Sequence, residues 1–293
     1  MSTFHPITLA EREHYYQYWS QTPCHSLDYT LPNIWGWQRY FQLSWFQGEK
    51  LAYIRQEHPG PFFWAPLGAW NDVDWEKEMN ALSKEEKTFI RVPSFLLAIW
   101  QEKIPDRITV QEDRGQWEYL YRQSDLATLP GKNFHKKKNH YAGFIKQYGE
   151  PDYHPINDSI VEDVLALQDE WCQWHECEDS DSLKAENEAI NQVLSHWQCF
   201  RGMCGGALYI DGRIAAFSIG EKLDEHNLGV HYEKGLMGYK GIYQAMNKTF
   251  AEHAGKGFSL LNRAQDLNEE GLRMAKMSYH PLDFLKKYTV LVR

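Results

Sequence analysis

The stretch "GGALYIDGRIAAFSIGEKL", residues 205–223, reads as two β-strands joined by a tight turn at Asp211-Gly212, a residue pair typical of β-hairpins. The stretch "FQLSWFQGEKLAYIRQ", residues 41–56, has the same strand–turn–strand pattern. Each hairpin follows two helical segments and precedes a further strand, at residues 61–68 and 226–233. Two copies of this order predict two similar α/β domains with mixed sheets.

The boundary between the two copies is predicted near residue 150. Residues 149–158, "GEPDYHPIND", are rich in Gly, Pro, Asp and Asn, which favour turns and loops. Apolar residues recur at helical spacing in residues 132–148, so we expect a helix there that leads from one domain into the other. The predicted domains are therefore residues 1–150 and residues 151–293.

The overall charge is acidic. With 31 Lys and Arg residues against 40 Asp and Glu residues, the formal net charge is −9, whereas a general nucleic-acid binder carries a basic stripe over much of one face. A local basic segment is present in "HKKKNH", residues 135–140. The first residues lack the pattern of a signal peptide, and no apolar run approaches the roughly 20 residues of a membrane-spanning helix. We expect a soluble, cytoplasmic protein.

The five cysteines are an odd number in a long chain, which does not indicate a disulfide framework. "CQWHEC", residues 172–177, raises the possibility of a zinc site, but no second Cys or His pair with suitable spacing accompanies it. The favoured interpretation is ordinary thiols and no metal.

A strand–helix–strand unit in the second half predicts where a ligand would bind. Residues 226–233 and 258–262 are predicted strands with a helix at 241–253 between them, which implies a parallel pair joined by a crossover. Ligands of such sheets bind beyond the carboxyl ends of the strands. Glu233 and Lys234 stand at the first of these ends, and Asn262 and Arg263 at the second.

These residue types suit acyl-transfer chemistry. Glu233 could act as a general base, and Lys234 or Arg263 could stabilise an oxyanion or bind a phosphate. Arg263 and Asp266 could form a fork-type ion pair, with Asp266 as partner of a substrate ammonium group. The alternatives are a solvated Glu-Lys pair and acidic residues that begin a helix, whose dipole favours acids at its start and bases at its end.

Three further features are candidates for substrate binding. Lys136, Lys137 and Lys138 could attract a phosphodiester backbone, although lysines beside an apolar stripe commonly extend toward solvent. The glycine-rich loop at 233–243, which ends at Tyr243, could hold a phosphate on backbone N–H groups, although glycines also make tight turns. Asn187 is a polar residue in an amphipathic helix and is the weakest candidate.

Four long motifs together resemble the C-terminal domain family of lysyl-phosphatidylglycerol synthases. They are "LYRQSDLATLPGKNFHKKKNHYAGFIK", "DGRIAAFSIGEKL", "VHYEKGLMGYKGIYQAMNKTFAEH" and "NRAQDLNEEGLRMAKMSYHP". The resemblance implies two tandem domains of the Gcn5-related N-acetyltransferase (GNAT) type and a relation to Fem-type aminoacyltransferases. The family pattern is matched by Lys137, Asn139, His140, Glu233, Lys234, Asn247, Asn262, Arg263, Asp266, Arg273, Lys276 and Tyr279.

Two departures from the family are visible. The family's synthases carry many membrane spans ahead of this domain, and this sequence has none, which bears on the lipid acceptor. The family pattern has a Glu before Gln265, where this chain has Ala264.

The resemblance implies aminoacyl transfer from an aminoacyl-tRNA to a lipid, a peptidoglycan precursor or another amine or hydroxyl acceptor, without a cofactor. In this interpretation the catalytic residues are Glu233, Lys234, Arg263 and Asp266, the three lysines meet the tRNA acceptor end, and the first domain is a scaffold that walls an interdomain cleft. The alternatives are N-acetylation with acetyl-CoA as donor and a non-catalytic, ligand-binding role. The oligomeric state is left open.

Overall fold

The computed structural model describes residues 4–82 and 86–293 and contains two compact units. The first comprises Met1–Glu118, Gln265–Glu269 and Leu285–Arg293, and the second comprises Tyr119–Ala264 and Glu270–Phe284. The units therefore divide the chain near residue 118 and again near its end, rather than at the predicted boundary near residue 150. Residues 1–3, where the N-terminal stretch begins, lie outside the described residues.

The α-helices and β-strands are numbered in chain order. The helices are α1 Arg12–Gln21, α2 Leu31–Phe41, α3 Trp75–Leu82, α4 Ser94–Lys103, α5 Gln123–Thr128, α6 His135–Tyr148, α7 Val161–Trp174, α8 Asp181–Ser195, α9 Ile242–His253 and α10 Glu270–Met277. The strands are β1 Ser44–Gln47, β2 Leu51–Gln56, β3 Phe62–Trp64, β4 Leu67–Gly68, β5 Lys87–Pro93, β6 Ile108–Glu112, β7 Glu118–Arg122, β8 Asp152–Pro155, β9 Met203–Ile210, β10 Arg213–Lys222, β11 Asn227–Gly235, β12 Leu260–Asn262, β13 Asp283–Leu285 and β14 Lys287–Val292. Among the described helices, none combines the length and the apolar composition that a membrane crossing requires.

The sheet of the first unit has the strand order β1-β2-β3-β5-β14-β6, with β4 paired to β2. The predicted hairpin is confirmed as β1 and β2. Strands β3 and β5 are parallel, and β14 lies antiparallel to both β5 and β6. Large aromatic side chains that are fully buried fill the core of this unit, among them Trp45, Trp64, Trp75, Trp100 and Phe89.

The sheet of the second unit has the order β13-β7-β12-β11-β10-β9-β8. The predicted hairpin is confirmed as β9 and β10, and both turn residues are left-handed, with φ of 51° at Asp211 and 79° at Gly212. This backbone is what a two-residue turn between twisted strands requires. The predicted parallel pair is confirmed as β11 and β12, joined through α9.

The predicted repeat of elements is confirmed, with one rearrangement that the sequence did not indicate. Each copy runs through two helices, a hairpin, a strand, a helix and a parallel strand. The strand that borders the parallel pair comes from the other half of the chain: β14 lies beside β5, and β7 lies beside β12. This reciprocal exchange is the reason that the compact units and the sequence halves do not coincide.

Strand β11 parts from β12 in the second sheet, and this geometry determines where the candidate site forms. The two strands pair only from Asn227 to Gly229, opposite Leu260 to Asn262, while β11 runs on to Gly235. A register shift at Ile219/Gly220 marks a β-bulge in the pairing of β10 with β11. Bulges bend a strand and redirect its side chains. The last residues of β11 therefore extend beyond the parallel pair.

The cysteines include one bonded pair, which corrects the prediction of ordinary thiols. Cys172, in the last turn of α7, forms a disulfide with Cys177, and their Cα atoms are 5.0 Å apart. Glu176 adopts a left-handed conformation and turns the chain back just before Cys177, which brings the two side chains together. Cys24, Cys199 and Cys204 are free thiols.

Four buried charged side chains join distant parts of the first unit. Lys287, at the start of β14, donates to Asp28 and, over 2.5 Å, to Glu118. Asp28 also forms an ion pair with Arg91 of β5. Burying such charges is costly unless each is compensated, and here two cations face two carboxylates. The network holds β14 in the interior of its sheet.

We expect Lys287→Met to be the most destabilising single change in this network. It preserves side-chain volume but leaves Asp28 and Glu118 without their shared cation, so the free energy of unfolding should fall by about 3–5 kcal/mol. The measurement is urea unfolding at pH 7. The matched control is Lys286→Met, because Lys286 is exposed and its Nζ lies 5.0 Å from the ring centre of Trp117. Equal losses in the two variants would contradict a stabilising role for the buried network.

The same network predicts a loss of stability in acid. Burial by itself would raise the pKa of Asp28, but the charges of Arg91 and Lys287 outweigh burial and hold this pKa below its usual value. A carboxylate with a depressed native pKa stabilises the fold fully above the unfolded pKa of about 4, and this stability is lost as the pH falls through the native pKa. We expect Asp28→Asn to be less stable at pH 7 and to lose less on acidification, as measured by urea unfolding between pH 7 and pH 3.

Candidate functional site

The candidate site lies in the second unit and is centred on Arg263, the residue that follows β12. Its Nη2 donates to Oε1 of Glu233 over 3.1 Å, and the two side chains are only 14% and 12% exposed. Asn247 faces the same guanidinium group. With its amide oriented so that the oxygen faces these donors, the oxygen lies 3.1 to 3.3 Å from Nε, Nη1 and Nη2. Arg263 is therefore fixed from two sides, by a carboxylate from β11 and by an amide from α9.

Two tyrosine rings enclose the guanidinium group. Its Cζ lies 5.8 Å from the ring centre of Tyr121 and 5.2 Å from that of Tyr279, within the range of cation–π attraction. Burial raises the pKa of Tyr279 to about 12. Lys276 donates to the backbone oxygen of Arg263, and Tyr121 donates to that of Lys276 over 2.9 Å. Burial also raises the pKa of Tyr121. Both phenols are therefore neutral at physiological pH, and the charge of the site is carried by its carboxylate and its cations.

Glu233 presents one carboxylate oxygen to Arg263 and keeps the other available. Its Oε2 is buried and has no hydrogen-bond partner among the described residues. A buried carboxylate oxygen without a donor is unfavourable unless a ligand or water completes its hydrogen bonding. This oxygen is therefore able to accept a hydrogen bond from a bound group.

Lys137 joins the same cluster from α6. Its Nζ lies 4.1 Å from the ring centre of Tyr279, the ring that also faces Arg263. Burial, and secondarily the charge of Arg263, lowers the pKa of Lys137. Its neighbours Lys136 and Lys138 are exposed, so the structure separates the three predicted lysines into one inner and two outer side chains.

Lys234 lies on the opposite face of β11 from Glu233, because successive strand residues point to opposite faces. Its Nζ bonds to Glu186 of α8 over 2.5 Å and lies 3.8 Å from the ring centre of Trp171 of α7. Tyr243 closes this second group, since its hydroxyl accepts from Nε1 of Trp171 at 3.2 Å. The structure therefore places Glu233 and Lys234 on opposite faces of β11, each with its own partner of opposite charge.

Asp266 belongs to the first unit and is fully buried. Its Oδ2 is 3.2 Å from Nη1 of Arg114, and its Oδ1 accepts the backbone N–H of Asn268 at 2.9 Å. The fork-type pair predicted between Arg263 and Asp266 is not formed, because the carboxylate partner of Arg263 is Glu233. A fully buried carboxylate that is already paired is unsuited to meet a substrate ammonium group.

The remaining predicted residues lie in three different surroundings. Asn262 is buried beside Arg263, and its Oδ1 accepts the backbone N–H of Ala264 at 3.0 Å, so it shapes the turn after β12. Asn187 accepts from Gln168 over 3.1 Å on the α7–α8 side. Residues at the surface or half-buried, away from the contacts of Arg263 described above, are Asn139, His140 and Arg273.

Sequence reasoning missed four residues that contribute to these groups. Tyr121 lies on the same face of β7 as Tyr119, two residues earlier, and the place of this strand in the second sheet could not be predicted locally. Gln244 lies near the hydroxyl of Tyr279 and precedes Asn247 by three residues on α9, a helical spacing that could have indicated it. Trp171 and Glu186 lie on helices that gave no signal beyond amphipathic patterning.

The predicted glycine-rich loop borders a pocket of about 310 Å³. Residues 235–244, from the end of β11 to the first turn of α9, form most of its wall, and His175 completes it. Tyr243 is hydrogen-bonded to Trp171, and Gln244 lies near Tyr279. The pocket therefore lies next to both polar groups of the second unit.

Two mixed sheets, each with a hairpin and a parallel pair, make up a tandem GNAT-like fold, as predicted. The chain belongs to the family described as the C-terminal region of phosphatidylglycerol lysyltransferase, which residues 28–291 match. This is a family of acyl and aminoacyl transferases, so membership supports enzymatic aminoacyl transfer in general.

Three proteins illustrate the relationship. A conserved protein of unknown function from Bacteroides thetaiotaomicron VPI-5482 matches over 100% of both chains, with 29% identity and a TM-score of 0.89. L-PGS from Bacillus licheniformis matches over 96% of this chain and 91% of its own, with 13% identity and a TM-score of 0.65, a likeness of fold. The uncharacterized protein MYCGA3080 of Mycoplasmoides gallisepticum is 26% identical over 175 residues, 59% of this chain and little more than half (56%) of its own length.

We expect Asn247→Leu to destabilise the second unit, because the substitution removes the amide oxygen that faces the three nitrogen atoms of the buried Arg263 guanidinium group. Hydrogen bonds to charged groups contribute about 1.5–3 kcal/mol, and the free energy of unfolding in urea should fall by that amount. The control is Asn191→Leu: the Asn191 amide donates to the neutral Asn187, so the loss of stability should stay near 1 kcal/mol. A loss at Asn247 no larger than at Asn191 would show that the amide does not hold Arg263.

Proposed function

We propose that the chain is an aminoacyltransferase that takes its acyl group from an aminoacyl-tRNA and passes it to a hydroxyl or amine acceptor, such as a lipid or a peptidoglycan precursor. The observation that carries the proposal is the buried Glu233–Arg263 pair with its available carboxylate oxygen. Family membership supports aminoacyl transfer as the reaction class. The reaction is placed in the cytoplasm, where charged tRNA is available.

The chemistry requires positioning and proton transfer more than activation. The ester of an aminoacyl-tRNA is already reactive, so the protein needs to orient it, stabilise the tetrahedral oxyanion and move one proton. Glu233 Oε2 takes the proton of the acceptor as the acceptor atom bonds to the acyl carbon. The carboxylic acid then returns this proton to the ribose oxygen as the ester bond breaks. Proton and leaving group are thereby balanced with Glu233 alone.

Arg263 serves this chemistry in two ways. Its bond to Oε1 orients the carboxylate so that Oε2 faces the bound groups, and its charge favours the oxyanion that develops beside it. Asn247 and the rings of Tyr121 and Tyr279 keep the guanidinium group in place, so little reorganisation accompanies the reaction. Lys234 and Asp266 take no part in this reaction scheme, because Lys234 is paired with Glu186 and Asp266 with Arg114.

Replacing Glu233 by Gln tests the proposal directly. The amide keeps the shape of the side chain but cannot accept the proton, so discharge of aminoacyl-tRNA should slow by about 10²–10⁴-fold. The assay incubates the protein with a set of charged tRNAs and total lipid or cell-wall precursor extract and measures the loss of acylated tRNA. Glu225→Gln, an exposed carboxylate bonded to Lys222, is the matched control and should keep full activity. Failure of the wild-type chain to discharge any tRNA would refute the proposal.

Acetyl-CoA is the competing donor, and the pocket beside the glycine-rich loop is where its pyrophosphate would be sought. The loop "KGLMGYKG", residues 234–241, spaces its glycines differently from the pattern usual for CoA binding in this fold. We therefore expect no rise in melting temperature with millimolar acetyl-CoA. A clear rise would favour N-acetylation over aminoacyl transfer, because a ligand that binds the native state stabilises it.

A further inference from the structure

The disulfide between Cys172 and Cys177 closes the corner at which the chain turns from α7 into α8. We call residues 172–180 the α7–α8 corner. The two bonded side chains are buried, whereas residues 173–176 between them are exposed or half-buried. Cys177 begins the short helical turn that leads to Ser180, the N-cap residue of α8. The bond therefore fixes the end of one helix to the approach to the next.

The corner supports two features on this side of the second unit. Trp171, directly before Cys172, presents its ring to the ammonium group of Lys234 at 3.8 Å, and Glu186 of α8 pairs with the same group. His175, inside the bonded segment, stacks on Trp171 with ring centres 3.8 Å apart, and it lines the pocket of about 310 Å³. Opening the corner would therefore disturb both the pocket wall and the surroundings of Lys234.

The position of the bond suits control of local order better than support of the whole fold. The stabilisation that a disulfide provides grows with the length of chain it closes, and these cysteines are only 5 positions apart. In a reducing compartment disulfides are rare, and those that occur are usually catalytic or redox-sensing. The inference rests on the proposed function in this one respect, that the chain works in the cytoplasm.

We propose that Cys172 and Cys177 are a reversible redox-modification site. Their disulfide form orders the α7–α8 corner, and their dithiol form releases it, so that His175 is no longer a fixed wall of the pocket. Small cellular thiols are the reductant and peroxides are the oxidant.

Reduction consumes two small thiols for each disulfide. The first thiolate attacks Sγ of Cys177, the S–S bond breaks, and Cys172 leaves as a thiolate that takes up a proton. The second thiolate attacks the small-molecule sulfur of the mixed disulfide, which releases a small-molecule disulfide and the Cys177 thiol after protonation. Gln168 favours Cys172 as the leaving group, because its Nε2 lies 3.6 Å from Sγ and donates to it.

Oxidation runs through one peroxide molecule. A thiolate of the pair attacks the peroxide oxygen and becomes a sulfenic acid, and hydroxide leaves. The second thiol then displaces the sulfenic oxygen as water, and the S–S bond forms again.

Amide hydrogen exchange on the full chain tests control of the corner without any substrate. Residues 173–180 should exchange at least about tenfold faster in dithiothreitol than in the oxidised chain, because the constraint on local opening is lost. Exchange in α9 should not change. Cys177→Ala should show the fast pattern without reductant. The matched control Cys199→Ala, which removes a free thiol, should respond to reductant as the wild-type chain does.

Reversibility is measured separately on the wild-type chain. The native protein is equilibrated in a graded series of glutathione buffers, and the oxidised fraction of Cys172 and Cys177 is determined by differential alkylation and mass spectrometry. The pair should pass between dithiol and disulfide within the series, from either direction. A pair that stays bonded in millimolar dithiothreitol, or stays free in oxidised glutathione, would overturn the proposal.

The remaining outcomes separate this site from the transfer reaction. Equal exchange of residues 173–180 in the two redox forms would overturn the proposal, since the bond would then not control the corner. If the pair titrates and the corner responds but the wild-type chain discharges no aminoacyl-tRNA, the redox site stands and the proposed function falls. If the chain discharges tRNA and the pair does not titrate, the redox site alone falls.

Discussion

A fully buried ammonium group, that of Lys287, is the constraint on which the first unit depends. It meets Asp28 from the segment before α2 and Glu118 from the start of β7, and Asp28 in turn holds Arg91 of β5. None of these charges is tolerable alone in the interior. A shift of β14 by one residue would turn Lys287 toward the other face of the sheet and leave both carboxylates uncompensated. The network thus stabilises one register of the inserted strand over its neighbours.

In the second unit the alternation of β11 organises the charged groups. Glu233 and Lys234 are adjacent in sequence, but the pleat sends one to the face of α9 and the other to the face of α7 and α8. Each then acquires a partner of opposite charge, Arg263 and Glu186. The departure of β12 after Asn262 leaves the end of β11 open beside the first of these pairs. A strand that is fully paired on both edges would have no room for a substrate at this point.

The sequence predicted what local patterns determine and failed where distant segments meet. Hairpins, the parallel β11–β12 pair and α6 follow from turn residues and apolar periodicity, and long motifs in a fixed order indicated the family. The exchange of β7 and β14 has no local signature, because the residues of a strand do not identify the distant strand beside which it lies. For that reason the predicted boundary near residue 150 differs from the compact units. The proximity of Arg263 to Glu233 was predicted, because these residues lie near the carboxyl ends of the neighbouring parallel strands β12 and β11.

Asp266 shows why proximity in sequence misled the site assignment. Ala264, Leu267 and Asn268 have positive φ values of 55°, 53° and 63°, so the chain turns repeatedly after Arg263. The carboxylate of Asp266 stabilises this turn by accepting the N–H two residues on, as aspartate often does. The helix that the charge pattern indicated begins only at Glu270.

The exchange of strands also determines the order in which the two units can be completed during synthesis. Strand β7 is synthesised before the rest of its sheet, so the second unit can assemble as its remaining strands emerge. Strand β14 is synthesised after every other strand of its sheet, and Lys287 follows its partner Asp28 by 259 positions. Until then β5 and β6 present unpaired edges, the feature by which nascent chains associate wrongly. The amino-terminal unit is therefore synthesised first and completed last.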